Sequence, residues 1–504
     1  MEHLGRAQAL SPLDNRYWRA NADRFEALSG YLSEDAGVQL AAQVEVALLR
    51  ALVRHTTPEV ATDELDATLA AAAANISAAE VAEEERKTDH NVRALVHVLQ
   101  RAVPEQVRHL VHVGATSYDI TDTAAALRYR GATREVVLPL LIDVERALIA
   151  LSEREAASVQ VGRTHGQYAV PITFGFAVAE YVARLGKSIL RIEARAAEMC
   201  GKLAGAVGAY NATSLLVDDP QALEREVLGS LGLPASESST QIVEPEYLLG
   251  LLLELNTAFG ILAALADDLR HLQRSEIGEV RESFGDTQVG SSTMPQKRNP
   301  WNSEHVKSLW KEFSPRAMTF FMDQLSEHQR DLTNSASARF IPEFVAGLVA
   351  AAGRTLKVLQ GLEVDRERML ERLRSGAADL VLAEAAYVLL ASSGVADAHE
   401  RIRRITQAQE RNQSSLADEA RGDEELWTAL DRAVRRRFDC PAAELFGAPE
   451  RYVGVAEDKA RALASRYATQ MDQLQQRLRD ARSDAAAEAN AAGSAATASV
   501  RASV

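Results

Sequence analysis

Aromatic residues make up only 5% of the 504-residue chain, and cysteine occurs twice. With so few aromatics and no sustained alternation of Val, Ile and Thr, a strand-rich fold is not expected. Two cysteines, Cys200 and Cys440, cannot build a disulfide framework, and no Cys/His cluster has zinc spacing. No apolar run approaches the length of a membrane span. The opening Met1-Glu2-His3-Leu4-Gly5-Arg6 lacks the basic-then-apolar order of a signal peptide. Excess positive charge is missing too. Fifty-six Lys and Arg against 71 Asp and Glu leave a formal net charge of −15. That argues against a nucleic-acid surface but permits a local basic pocket for a small anion. The expectation is a cytoplasmic protein with no metal, cofactor, membrane or nucleic-acid partner.

What the chain has is Ala, Leu, Glu and Arg, residues that favour helix. Hydrophobic content of 47% and charged content of 25% are ordinary for a globular protein. The length exceeds what one compact core supports. The expected fold class is all-α, with three helical domains around a central long-helix bundle. Its divisions are residues 1–115, the bundle 116–363 with a loop at 285–300, a C-terminal domain 364–480, and a tail 481–504. The tail, rich in Ala and Ser, reads as disordered or frayed helix. Apolar spacing predicts helices near 33–55, 135–155, 172–203 and 248–283, and another starting near Trp301.

The stretch Gly290-Ser291-Ser292-Thr293-Met294-Pro295-Gln296-Lys297-Arg298-Asn299-Pro300 stands out. Gly290, Pro295 and Pro300 interrupt any helix, and the residues between them are almost all polar. A polar loop between rigid helices is where binding and catalytic groups concentrate, although composition alone fits a solvated turn equally well. Other polar breaks occur at Ser11–Tyr17, Glu85–Val92, Val111–Asp119, Gly162–Pro171, Ser239–Ile242 and Arg330–Arg339. Capping by itself accounts for Thr116 and Ser117 after Gly114.

Ser291–Asn299 resembles the signature loop of the fumarase/aspartase superfamily, Val111–Asp119 and Gly162–Pro171 its first and second conserved regions, and Ser11–Tyr17, Glu85–Val92 and Arg330–Arg339 its adenylosuccinate lyase branch. The resemblance implies β-elimination of fumarate without a cofactor, in a homotetramer whose active sites are shared between subunits. It implies Ser291 as the base, with Lys297, Asn299 and the amides around Ser292 stabilising charge and Met294 lining the site. His165, paired with Glu304, would serve the leaving nitrogen. Thr116 and Ser117 would hold a carboxylate and Gln241 the substrate, with Asp119 structural. Arg16, Tyr17, Arg330, Ser335 and Arg339 would contact a nucleotide phosphate. Ser335 and Arg339, four apart, would share one helix face. His90 is in place, but its acid stands before it as Asp89 and Asn91 follows. Asn15, Tyr168 and the Ala212-Thr213 pair also depart from the branch's usual residues. These departures leave open a related lyase acting on another succinyl adduct.

Overall fold

The computed structural model describes residues 8–285, 290 and 292–502, except the side chains of residue 377 and residues 484–502. Among the described residues the chain is mostly helical. Helix α1 (Glu34–Thr56) shows why. Ser33 accepts a hydrogen bond from the Ala36 amide, and Glu34 and Asp35 face the positive end of the helix dipole. Val44, Leu48, Leu49 and Leu52 are buried along it. With α2 (Asn91–Ala102) it closes an N-terminal core around Leu69, Val96 and Leu99.

The central bundle is built from α3 (Ser117–Ala132), α4 (Leu138–Arg154), α5 (Phe174–Ala197), α6 (Glu246–Leu272), α7 (Trp301–Phe313) and α8 (Ile341–Gln360). Pro139 falls in the first turn of α4, where its missing N–H breaks no helix bond. Helix α4 packs on α5 and α8, α6 on α5, α7 and α8, and α7 on α8. Leu141, Leu185, Phe259, Leu262, Phe344 and Leu348 fill the space between them. Helices between Arg366 and Gly447 enclose a separate core around Leu390, Leu430, Val434 and Leu445. The chain then returns. Ala464, Tyr467, Met471 and Leu474 of α9 (Ala456–Ala502) pack in the central core, not with the C-terminal helices that precede them.

Several expectations need correcting, among them the helix expected to run to residue 283, which ends at Leu272. Two antiparallel pairs interrupt the all-α reading: β1 (Val159–Thr164) with β2 (Gln167–Thr173), and β3 (Val280–Arg281) with β4 (Glu363–Val364). Helix α5 ends at Ala197, not near 203, because Gly201 exchanges backbone hydrogen bonds with Pro234 and Ser236. Helix α6 is long and apolar enough to cross a membrane by length and composition, and so is the stretch Ala22–Thr56. Their apolar faces pack inside the protein, as in a central helix that is hydrophobic nearly all round.

Candidate active site

The N-terminus of α3 is held by buried charge. The Thr116 amide donates to Asp119 Oδ2 at 2.8 Å, and the Gly205 amide reaches the same carboxylate at 3.2 Å. Lys202 Nζ donates to Asp119 and to the Gly205 carbonyl at 3.1 Å. Asp119 and Lys202 are fully buried, so this network fixes Thr116 and Ser117 against the loop after α5. A helix N-terminus so placed favours an anion. One turn on, Asp122 accepts the Val243 amide at 3.0 Å, which brings Gln241 to the same corner. Burial pushes the Asp122 carboxyl up to about 7, against the Val243 hydrogen bond and the charge of Lys202.

The Gln241 amide donates to the Gln329 carbonyl at 3.3 Å, placing Arg330 beside this corner. Arg330 sits at a φ of 97°, a strained conformation for a side chain of its size. Its guanidinium donates to the Gln324 carbonyl at 2.9 Å and to the Asp323 carbonyl at 3.1 Å. It therefore braces its own loop. Ser335 and Arg339 do not share an α-helical face as expected. Asp331 takes the Thr333 amide at 2.9 Å, the chain turns through Ser335, and Arg339 lies in a short 3₁₀ segment, Ser337–Phe340.

A second corner forms at the start of α7. Asn299 Nδ2 donates to the Gly290 carbonyl at 3.0 Å, folding the signature loop on itself. A Cβ at Gly290 would collide with the Lys297 carbonyl, so the close approach requires glycine. Ser292, Met294 and Lys297 are exposed, and Ser291 lies outside the described residues. The buried Glu282 carboxylate anchors the helix, accepting from the Asn302 amide at 3.2 Å and the Ser303 amide at 2.8 Å. Glu304 and His305 follow directly. Tyr17 OH lies 2.8 Å from His305 Nε2, which joins the N-terminal Arg16-Tyr17 pair to the signature-loop helix. Arg354 of α8 lies over the Trp301 ring at 4.8 Å and donates to Asn302 Oδ1 at 2.8 Å. Burial, then Arg354 and Arg16, hold the His305 imidazole below its usual value, so it is neutral at pH 7.

His165 occupies a third place, the tip of the β1–β2 hairpin. It and Gly166 both have positive φ, 55° and 75°, as a two-residue hairpin turn requires. Arg163 braces the hairpin on buried Glu279, and Arg372 donates to Tyr168 OH at 3.3 Å. Among the described residues no hydrogen bond or ion pair joins His165 to Glu304, and both are exposed. The expected pair is not made within one chain, because one residue tips a hairpin and the other opens α7. His90 and Asp89 stand apart as caps. Asp89 ends the helix Ala78–Thr88 at a φ of 50°, and His90 Nδ1 accepts the Arg93 amide of α2 at 3.2 Å.

Sequence reasoning passed over Asp122, Lys202, His305 and Arg354. Lys202 carried a faint signal, a lone lysine within Met199-Cys200-Gly201-Lys202-Leu203-Ala204-Gly205. His305 directly follows a residue already singled out.

Residues 15–311 match the protein family described as Lyase, and residues 326–435 match one described as Adenylosuccinate lyase C-terminal. An adenylosuccinate lyase of Pyrococcus abyssi is 31% identical over 477 residues, covering 93% of this chain and 99% of its own. One from Pyrococcus horikoshii is 32% identical over 401 residues, 79% of this chain and 85% of its own. The fold is that of a 3-carboxy-cis,cis-muconate lactonizing enzyme from Pseudomonas putida, with a TM-score of 0.73 and 23% identity over 88% of this chain and 97% of that one. The match over more than half the chain and the full-length likeness to these relatives agree: the chain belongs to the lyase family of the fumarase/aspartase superfamily and carries an adenylosuccinate lyase-type C-terminal region.

Proposed function

We propose that this lyase eliminates fumarate from a succinyl-amine nucleotide, with adenylosuccinate yielding AMP and the imidazole-carboxamide ribotide analogue as a second substrate. The observation that carries this reading is the 2.8 Å contact between Tyr17 and His305, which puts the phosphate-type Arg16-Tyr17 pair against the helix that follows the signature loop. Removing the proton next to a carboxylate builds a dianion, which preorganised cations and N–H donors stabilise best. Lys297, Asn299 and the amides around Ser292 take that role, with Met294 beside them. Ser291 removes the proton and Thr116 and Ser117 hold the carboxylate. Gln241 and Arg330 border the substrate, and Ser335 and Arg339 complete the phosphate contacts.

His165 of one subunit, paired with Glu304 of another, protonates the departing nitrogen in this proposal. Its support is that both side chains are exposed and unpaired with each other in the single chain. A homotetramer is further supported by exposed Met318, Phe321, Met322 and Leu325, an apolar patch of the kind that marks an interface.

The test offers purified enzyme adenylosuccinate, argininosuccinate, aspartate and malate while fumarate is followed by absorbance. Turnover of adenylosuccinate with competitive inhibition by AMP is expected. Arg339→Ala should raise the KM for adenylosuccinate roughly 10–100-fold, since charge-assisted contacts contribute about 1.5–3 kcal/mol. Fumarate from a non-nucleotide acid alone, with no AMP binding, would overturn the reading. A second reading, another succinyl adduct, is favoured by one observation: the Asp89-His90-Asn91 segment caps helices and lacks a carboxylate after His90. Under it, Asn91→Asp would be needed for adenylosuccinate turnover.

A further inference from the structure

The start of α7 carries an imbalance of charge. Arg354 lies over the Trp301 ring, which meets the His305 ring edge-on at 6.4 Å, and Arg16 precedes Tyr17, whose hydroxyl lies 2.8 Å from His305 Nε2. Among the described residues neither guanidinium forms an ion pair with a carboxylate; Arg354 is half-buried and Arg16 is exposed. Glu282, the acid that anchors Arg354's partner Asn302, has both oxygens already taken by the amides and side chains of Asn302 and Ser303. Two arginines brought near one half-buried imidazole, neither paired with a carboxylate, offer a place for an anion.

The groups around them include further hydrogen-bond donors for such an anion. Arg354 is immobilised by the Trp301 ring at 4.8 Å and by Asn302 Oδ1 at 2.8 Å, which leaves the rest of its donor fork for a ligand. Tyr17 and His305 rings pack with centroids 5.7 Å apart and share a hydrogen bond of 2.8 Å, so the phenol is held in one orientation. A neutral His305 either accepts the phenol proton or donates its own, and it adds no third positive charge to the pair of arginines.

We propose that His305 and Arg354 join Arg16 and Tyr17 in a single subsite for a phosphate monoester, with Arg354 contacting the anion and His305 positioning the Tyr17 hydroxyl. This rests on the proposed nucleotide substrate and adds two residues that the signature motifs do not assign. It also gives the subsite a direction: the phosphate lies on the α8 side of α7, beside Trp301.

The experiment measures binding of AMP and of inorganic phosphate by calorimetry in the full-length enzyme, with product inhibition by fumarate as a control. Variants are Arg354→Met, which keeps the stem over Trp301, His305→Phe and His305→Gln. Arg354→Met should weaken both AMP and phosphate about 10–100-fold while the fumarate inhibition constant stays within about twofold. His305→Phe should weaken AMP about fivefold, and His305→Gln, which keeps a polar partner for Tyr17, should recover most of it. A merely structural role would weaken fumarate in parallel with AMP, and that result overturns the proposal. So does unchanged AMP and phosphate binding in Arg354→Met, even if Arg339→Ala behaves as a nucleotide lyase requires. Should the wild type bind phosphate but not AMP, with phosphate lost in Arg354→Met, the subsite stands and the nucleotide reading falls.

Discussion

Lys202 and Asp119 form an ion pair in which neither side chain reaches solvent, and it ties the loop after α5 to the first turn of α3. The carboxylate is also the acceptor for the Thr116 and Gly205 amides, so one buried acid sets the position of the proposed carboxylate-binding turn. Two charges removed from water return little net stability while both are present, but deleting one strands the other. Lys202→Met should therefore lower stability by about 3–5 kcal/mol, read as a lower urea midpoint. A loss under about 1 kcal/mol would mean that water or rearrangement already satisfies Asp119, contrary to the fully buried network.

Asp122 gives a pH signature. Its carboxyl is raised from 3.8 to about 7 in the folded chain, chiefly by burial. Between those values the folded state keeps a proton that the unfolded state has released. The contribution is thus fully present below the unfolded value and is lost as pH rises through about 7. Asp122→Asn retains an oxygen for the Val243 amide and removes the titration. The drop in melting temperature from pH 5 to pH 8 should be smaller in that variant than in the wild type. An identical drop in both proteins would assign the pH dependence to other groups.

The long helices were legible because apolar spacing is local: Val44, Leu48 and Leu52 repeat at helical intervals whatever they pack against. The signature loop was legible for the opposite reason, since Gly290, Pro295 and Pro300 break that spacing. The β1–β2 hairpin was not, because Gly162 and Pro171 interrupt the alternation of Val159, Val161, Val170 and Ile172. Partners distant in sequence were invisible in principle. Tyr17 meets His305 across 288 positions and Lys202 meets Asp119 across 83, and no spacing rule links them. The return of α9 to the central core hid behind a change of composition at the chain's charged C-terminal third.

Glu145 of α4 is a cost without an evident return. Both of its carboxyl oxygens are buried with no hydrogen-bond partner, beneath Tyr467 of α9 and Gly186 of α5. Burial raises its pKa well above the ordinary carboxylate value, which favours the neutral acid. An unsatisfied buried polar group costs about 1–3 kcal/mol. Glu145→Met should raise the melting temperature without altering kcat. A lower melting temperature would show that the carboxyl has a partner that becomes available in the assembled protein.

The assembly itself is open to a functional test. Ser291, on the signature loop, and His165, at the hairpin tip, are proposed to meet only across subunits. Ser291→Ala alone should reduce kcat by at least 10²-fold, in line with loss of a general base, while leaving AMP affinity close to that of the wild type. His165→Ala alone should be impaired to a comparable degree. When the two variants are mixed and their subunits exchanged, some hybrid sites receive an intact serine from one chain and an intact histidine from another. Activity should then recover to a substantial fraction of the wild type, rising with the time of exchange and reaching a plateau. Exchange is verified separately, by native mass spectrometry of isotopically distinct chains. If exchange is complete and activity stays at the level of the parents, both residues act within one chain, and the exposed hairpin must fold toward α7 by some other route.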